Sequence, residues 1–424
     1  MFWVIGVLFI LFILKVPIAF ALGISTLLGI IVSDIDFIVI PQKILSGVDS
    51  YALIAVPLFI LAGELMTQGG ISKRLVNFSQ TLFGHMTSGL AIVAVVASVF
   101  FSAVSGSAIA TTAAIGGMMI PAMLNSGYDK RFTASLIPAA GTIGPIIPPS
   151  IIMILYGVMA NVSIGDLFLA GFIPGILMGV GLIAYAYIIG KKRGYKGRDT
   201  VASPKEMLVG LKDAILALLM PFIIIGGIVG GIFTPTESGV VAVVYALIIG
   251  MFVYKEINLK SLPKIFYDSA MTTAGILFII GNAALFTWLI TINNIPQQVG
   301  EYLGTFTDSP FLLLLVMNII LLIVGTFLDT MSALIIFTPL MLPLALAAGV
   351  DPIHFGIIMA VNLTIGMITP PMGVCLFVST AIAKIKMQNL MKDLVPMVII
   401  LVVVLAVITY IPEVSLIVPK LFGA

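Results

Sequence analysis

Apolar stretches of about 20 residues follow one another along this chain, and few charges interrupt them. Of the 424 residues, 61% are hydrophobic and only 9% are charged, whereas a soluble domain carries about 25% charged residues. A helix of this length and apolarity matches the hydrocarbon core of a bilayer. The runs are continuous rather than alternating in polarity, unlike the strands of an outer-membrane barrel. The sequence therefore predicts an all-α polytopic membrane protein.

Composition and motifs exclude several other classes of function. The chain has no P-loop motif and no H-E-x-x-H motif, and its two histidines stand far apart. The one dense basic stretch, "KKRGYKGRD" at 191–199, fits a cytoplasmic loop under the positive-inside rule. We therefore expect no nucleic-acid partner, no metal cluster and no organic cofactor. Cys375 is the only cysteine, which excludes an intrachain disulfide.

The candidate membrane spans share high apolarity and lie at 2–33, 51–68, 131–160, 165–190, 213–233, 235–254, 271–293, 353–384 and 387–410. Pro17 could split the first of these into two short pieces. Leu405 in the last span is expected to face lipid. Four more polar segments fit amphipathic helices or arms along the membrane surface, and they lie at 37–50, 70–83, 256–269 and 295–307.

Two further apolar regions, 88–124 and 310–347, are broken near their centres by small or polar residues. The first break reads "SAVSGSA" (102–108) and the second "GTFLDTMS" (325–332). Each half is only about 15–18 residues long, which is marginal for a full crossing. A re-entrant helical hairpin whose tip is buried in protein explains such a pattern.

The chain contains an internal repeat at an offset of 222 positions. This offset places "TIGPIIPP" (142–149) on "TIGMITPP" (364–371), and 11 of the 31 residues in 119–149 are identical to their counterparts. The prolines end a helix within each copy, so the spans 131–160 and 353–384 are predicted to be broken helices. Each copy therefore pairs a hairpin with a broken helix.

Charge placement predicts that the two copies are inverted. The first repeat covers 1–190, a cytoplasmic basic loop covers 191–212, and 213–424 holds an extra span plus the second repeat. That extra span, 213–233, gives the second unit the opposite orientation in the membrane. Most of the basic residues then fall on the cytoplasmic side, namely the 191–198 cluster and Lys73, Arg74, Lys130, Arg131, Lys255, Lys260, Lys264, Lys384, Lys386 and Lys392. Inverted repeats with broken helices that meet near the midplane are typical of secondary transporters.

The breaks carry the residues that could bind an ion. Unwound carbonyls and hydroxyls such as those of Ser105 and Ser107 are hard oxygen ligands suited to Na⁺, and exposed helix N-termini favour an anion. Asp329 is an acid within apolar sequence, with Ser332 on the same helical face. Packing kinks, close helix contact and a structural hydrogen bond of Asp329 are the alternatives. Glu237 is more simply a helix cap near Pro235.

Several motifs resemble one family along essentially the whole chain. The segments "GTIGPIIPPSIIMILYGVMANVSIGDLFLAGFIPG" (141–175), "GIFTPTESG" (231–239), "GYDKRF" (127–132) and "TIGMITPPMG" (364–373) resemble the large membrane subunit of tripartite ATP-independent periplasmic (TRAP) transporters. The resemblance implies an elevator-type, Na⁺-coupled importer of organic acids such as C4-dicarboxylates or sialic acids in the bacterial inner membrane. It also implies a periplasmic substrate-binding protein and a small four-helix membrane subunit, here a separate polypeptide.

The resemblance also implies site residues. The sodium ligands it implies are Ser105, Ser107, Gly144, Asp329, Ser332, Thr364 and Gly366. The substrate contacts it implies are Thr111, Thr142, Pro149 and Asn362. The nearest alternative is a stand-alone divalent-anion/Na⁺ symporter, and the more distant ones are an intramembrane protease and a channel.

Overall fold

The computed structural model describes residues 2–198, 200–295, 298 and 309–423, and these residues form a bundle of α-helices. The helices of the first half are α1 Phe2–Ile13, α2 Ile18–Val32, α3 Val39–Val48, α4 Ala55–Gln68, α5 Ile71–Phe83, α6 Gly89–Ser105, α7 Ala108–Asn125, α8 Lys130–Gly141, α9 Ile151–Ala160 and α10 Ile164–Arg193. Those of the second half are α11 Pro204–Val229, α12 Pro235–Ile248, α13 Leu262–Ile292, α14 Pro310–Phe327, α15 Thr330–Ala347, α16 Pro352–Gly366, α17 Val374–Ala383, α18 Met391–Tyr410 and α19 Glu413–Leu421. The predicted arm at 295–307 lies largely outside the described residues.

The all-α membrane fold predicted from the sequence is confirmed. Within the described ranges, nine helical segments are long and apolar enough to cross a bilayer. Both predicted helix breaks are present in the hairpin regions, between α6 and α7 and between α14 and α15. Whether these hairpins re-enter the membrane from one side stays a prediction.

Some helix ends differ from the sequence-based expectation. The stretch 2–33 forms two helices of 12 and 15 residues rather than one span, because Pro17 cannot continue a helix through its missing N–H. The loop is shorter than the predicted 191–212, since α10 runs on through Arg193 and α11 already begins at Pro204, where Ser203 and Glu206 form a capping box. Likewise α13 begins at Leu262, so 256–269 is not a separate arm.

The helices pack into two groups. A peripheral group consists of α1–α5 and α11–α13, in which α13 packs on α2, α3 and α4, while α11 packs on α5 and α12 on α4. A central group consists of α6–α10 and α14–α18, which contains both hairpins and both broken helices. The groups meet where α6 lies against α4 and α5 and where α13 lies against α15.

The two repeats exchange contacts within the central group. The second half of the first broken helix, α9, packs against α15 of the second hairpin. Reciprocally, α17 of the second broken helix packs against α7 of the first hairpin. The sequence repeat therefore has a counterpart in the packing, and each unit completes the core of the other.

The expectation that Leu405 faces lipid is wrong. Leu405 is only 2% exposed, whereas Val403 on the same helix is 57% exposed. Helix α18 packs on α8, α10 and α16, and that contact buries the face carrying Leu405. The stretch 394–408 of this helix is apolar on all sides, so it offers no polar face from which its orientation could be read.

Leu405→Ala should therefore destabilise the protein, while Val403→Ala should change little. The buried leucine leaves a cavity that costs about 2–5 kcal/mol, and the exposed valine leaves none. Thermal unfolding of both purified variants in the same detergent compares the two. Equal midpoints for Leu405→Ala and Val403→Ala would contradict the burial of this face.

Candidate functional site

The break in the first hairpin is two residues long, Gly106 and Ser107, and is folded against the first broken helix. Gly106 has φ +58°, a conformation that suits glycine. A Cβ atom on it would also lie 2.8 Å from the carbonyl oxygen of Pro149. The hydroxyl of Ser107 caps α7 by accepting from the Ala110 N–H at 3.3 Å. The hairpin break and the proline-rich break are thus in direct backbone contact.

The first proline-rich break, 142–150, is buried throughout. A Cβ atom on Gly144 would lie 2.8 Å from the carbonyl oxygen of Ser107. The hydroxyl of Ser150 caps α9 through the Met153 N–H at 3.3 Å and donates to the carbonyl of Pro145 at 2.5 Å. The side chain thereby satisfies two of the backbone groups that the break leaves without helical partners.

Most of the residues predicted for the first site come together here. Ser105 and Thr111 are joined by a 3.0 Å hydrogen bond between their hydroxyl oxygens, and Gly144 and Pro149 contact the hairpin break beside them. Thr142 differs, because its hydroxyl donates to the carbonyl of Ala139 at 2.7 Å within its own helix.

Asp329 is the corresponding residue of the second hairpin, and it caps α15. Its carboxylate accepts from the Ser332 N–H at 3.1 Å and from the Ser332 hydroxyl at 2.5 Å. The side chain is half-buried. Ser107 and Asp329 lie 222 positions apart and cap equivalent helices, so the second unit carries a negative charge where the first has a hydroxyl.

The contact between the hairpin and the broken helix is shifted by about one helical turn between the two repeats. In the first unit Gly144 contacts Ser107, so the repeat predicts that Gly366 contacts Asp329. Instead, a Cβ atom on Gly366 would lie 2.3–2.5 Å from backbone atoms of Gly325, four residues before Asp329. Two glycines at this crossing let the backbones of α14 and α16 touch, and the second hairpin is displaced along the broken helix.

The two proline-rich breaks also differ in burial. Each contains a cis peptide bond, Pro148–Pro149 in the first and Pro370–Pro371 in the second. All residues of 142–150 are buried, whereas 370–372 are exposed. The first break is enclosed by protein and the second is open on one side.

Asn362 and Thr364 are buried in the last two turns of α16, just before the second proline-rich break. The Asn362 amide donates to Asn318 of α14, whose own amide donates to the Thr409 hydroxyl of α18 at 3.0 Å. The Asn362 Oδ1 atom has no hydrogen-bond partner in the described part of the chain. Thr364 donates to the carbonyl of Val361 at 2.9 Å. Their predicted ligand roles stay predictions.

Sequence reasoning passed over Thr330. Thr330 follows Asp329 directly and is only 2% exposed. Its buried hydroxyl makes no hydrogen bond to any residue that the structure describes. The polar pair "DT" inside an apolar stretch was the available signal.

The prediction that Glu237 is a helix cap is confirmed, because Thr234 and Glu237 form a capping box at the start of α12.

The arrangement offers oxygen ligands and helix N-termini. Hydroxyls, a carboxylate and unwound carbonyls are hard donors of the kind that alkali cations take. The N-termini of α7, α9 and α15 begin at these breaks, and their N–H groups favour an anion. No cluster of histidine, cysteine and acidic side chains able to hold a metal occurs among the described residues.

Comparison with known proteins gives a consistent result. The family model described as "Tripartite ATP-independent periplasmic transporter, DctM component" matches residues 5–414. The sialic acid TRAP transporter large permease protein SiaM of Vibrio cholerae is 41% identical over 381 residues, covering 90% of this chain and 89% of that protein. The C4-dicarboxylate TRAP transporter large permease protein DctM of Pseudomonas aeruginosa is 41% identical over 404 residues, covering 95% and 94%.

A solved structure shares the fold. The YdaH transporter of Alcanivorax borkumensis superposes with a TM-score of 0.62 at 15% sequence identity, covering 87% of this chain and 86% of that one. At this identity the likeness concerns the fold alone. The relatives above are named as permeases rather than as enzymes.

Gly366→Ala and Gly144→Ala should both destabilise the protein. Each added methyl group meets backbone atoms at 2.9 Å or less, so the hairpin must move off the broken helix at a cost of roughly 1–3 kcal/mol. Gly117→Ala on α7 is the matched control, since no atom lies within 4 Å of its added methyl. In thermal unfolding in detergent, the midpoint of Gly117→Ala should be at least as high as that of the unsubstituted chain. A stability loss of Gly117→Ala as large as that of Gly366→Ala would contradict the assigned contact.

Proposed function

The chain belongs to the DctM family of tripartite ATP-independent periplasmic transporter components, and on this basis we propose that it imports an organic acid by Na⁺-coupled, elevator-type transport. It is a TRAP large permease and a multi-pass membrane transporter. The relatives named for sialic acid and for C4-dicarboxylates both act on carboxylates. The proposed substrate class for this chain is therefore a small organic acid of that kind.

The isolated charge of Asp329 is the observation that carries the Na⁺ proposal. Within the described ranges, no lysine, arginine or histidine forms a salt bridge with this carboxylate. A carboxylate in a membrane segment is costly unless a cation balances it. Na⁺ supplies that charge, with Ser332 already in place beside the carboxylate and Thr330 adjacent with a free hydroxyl. Thr364 and Gly366 contribute on the neighbouring helix.

A second Na⁺ is proposed at the first hairpin break. There Ser105 and Ser107 supply hydroxyl and carbonyl oxygens, and the backbone at Gly144 approaches within contact distance of Ser107. This site lacks a carboxylate, so we expect weaker electrostatic binding than at Asp329. The organic acid is proposed to lie between the two breaks, near Thr111, Thr142, Pro149 and Asn362, where helix N-termini stabilise its carboxylate.

The elevator proposal rests on the two helix groups. Both hairpins and both broken helices belong to the central group, and the peripheral group contributes none of the candidate ligands. The central group can therefore move as one body that carries ion and substrate. The exposed second break and the buried first break are compatible with a state open on one side, as alternating access requires.

The proposed partners follow from the family. We propose that this large permease works with a separate small four-helix membrane subunit and with a periplasmic protein that delivers the acid, in the bacterial inner membrane. The alternative, a stand-alone divalent-anion/Na⁺ symporter, needs neither partner. The extent of the family match, residues 5–414, favours the tripartite system.

Reconstitution tests the proposed function directly. Proteoliposomes with both membrane subunits should take up sialic acid or a C4-dicarboxylate only when the binding protein and an inward Na⁺ gradient are both present. Uptake is measured with radiolabelled acids, and a K⁺ gradient of equal size serves as the control. Full uptake without the binding protein would favour the stand-alone symporter, and equal uptake in K⁺ would contradict Na⁺ coupling.

Asp329→Asn should raise the Na⁺ concentration needed for half-maximal uptake by about tenfold, because a loss of roughly 1.4 kcal/mol in ion binding corresponds to that factor. Asp268→Asn is the matched control, since Asp268 is also half-buried but lies on α13 of the peripheral group. Uptake against Na⁺ concentration gives both values. An unchanged Na⁺ dependence in Asp329→Asn would rule out its role as an ion ligand.

A further inference from the structure

We propose that a charged pocket at the predicted cytoplasmic end of the central group binds the phosphate headgroup of an anionic phospholipid. The pocket is a cavity of about 460 Å³ where α8 and α18 begin and α10 ends. Its charged and aromatic lining consists of Asp129, Arg131, Arg193, Tyr195, Lys392 and Asp393. None of these residues has a part in the proposed transport sites.

The two carboxylates of the pocket already have partners. Asp129 caps α8 and accepts from the backbone N–H groups of Arg131 at 2.8 Å and Phe132 at 3.1 Å. The Arg193 guanidinium forms a close salt bridge with the buried Asp393 and lies 3.8 Å from Asp129. The acids are therefore held by a helix N-terminus and by one arginine.

Two cations of the pocket form no salt bridge with the described residues, and its three basic and two acidic side chains give a net charge of +1. Arg131 and Lys392 are exposed, and neither forms a salt bridge with any residue in the described ranges. Both line the same cavity. A phosphate group placed there would accept from both side chains, and guanidinium pairs with phosphate through two parallel hydrogen bonds.

The wall of the pocket is preorganised. Tyr195 stacks on Tyr128 with ring centroids 4.2 Å apart, and its hydroxyl accepts from the Asp129 N–H at 2.9 Å. Arg193 also lies over the ring of Phe132, 5.5 Å from its centroid. Binding there would require little reordering, which favours affinity.

The surface beside the pocket favours a lipid over free phosphate. Lys392 lies in the first turn of α18, and Val395, Ile399 and Val403 follow at intervals of three and four residues, on one helical face. These three side chains are 50%, 55% and 57% exposed. An acyl chain can lie along this apolar stripe while its headgroup occupies the pocket, and basic pockets between helices on the cytoplasmic side suit anionic lipids.

The pocket also joins the two repeats. Asp129 and Arg131 belong to the first unit, and Lys392 and Asp393 to the second. A bound phosphate would therefore link both units at one membrane surface. The inference does not depend on Na⁺ coupling or on which acid is transported.

The test measures stabilisation by lipid. Thermal unfolding of the full-length chain in neutral detergent is followed while dioleoyl phosphatidylglycerol or dioleoyl phosphatidylcholine is added. We expect phosphatidylglycerol to stabilise at lower concentration. Arg131→Ala/Lys392→Ala should raise the phosphatidylglycerol concentration for half-maximal stabilisation by about 25-fold, since each cation near an anionic lipid contributes about a factor of five. Lys392→Gln alone, an exposed polar replacement, should raise it about fivefold.

Matched controls keep the test decisive. Lys260→Ala/Lys264→Ala removes two exposed lysines from the same predicted membrane side but outside the pocket, and it should leave the half-maximal concentration unchanged. Arg131→Lys/Lys392→Arg keeps both charges and should retain binding. An equal loss in the Lys260/Lys264 variant, or no loss in Lys392→Gln, would overturn the proposal. Stabilisation by inorganic phosphate alone at equal concentration would overturn the assignment to a lipid.

Discussion

Every backbone N–H and C=O group inside a bilayer must find a partner in the protein, and this requirement governs the fold. The chain interrupts its helices at two hairpin tips and two proline-rich breaks, and in the first unit it places one break against the other. Gly106 and Gly144 allow that contact, because a side chain at either position would meet backbone atoms. Ser107 and Ser150 then satisfy the freed groups with their hydroxyls.

The same contacts explain why the breaks suit ion binding. A segment that has left the helix but is enclosed by protein presents carbonyl and hydroxyl oxygens that water does not compete for. In the second unit the capping residue is Asp329 rather than a serine, which adds a charge to an otherwise equivalent cap. The equivalent caps of the two repeats thus carry a hydroxyl in the first unit and a carboxylate in the second, and the two breaks differ in charge.

The reciprocal packing of the repeats joins the helices of the central group into one packed unit. Helix α9 depends on α15, and α17 depends on α7, so neither unit has a complete core alone. At the predicted cytoplasmic end, Arg193 ties Asp129 of the first unit to Asp393 of the second. The proposed elevator movement relative to α1–α5 and α11–α13 requires a group held together in this way.

Local signals in the sequence determined the helices, the breaks and the repeat. Apolar length indicates a span, and the repeated proline-rich motifs indicated breaks at 142–149 and 364–371, of which the second begins only after Gly366 in the structure. A lone proline was not decisive, because Pro121 and Pro174 lie inside α7 and α10. The clustering of Ser105, Thr111, Gly144 and Pro149 followed from the same motifs and from the resemblance they carry. Glu237 as a cap was equally a local inference.

Only the tertiary structure decided how the helices face one another. It buried Leu405, paired Asn362 with Asn318, and set Gly366 against Gly325 rather than Asp329. These features depend on contacts between residues far apart in the chain. A helix that is apolar on all sides carries no mark of which side meets protein and which meets lipid, so the sequence could name the elements but not their orientation.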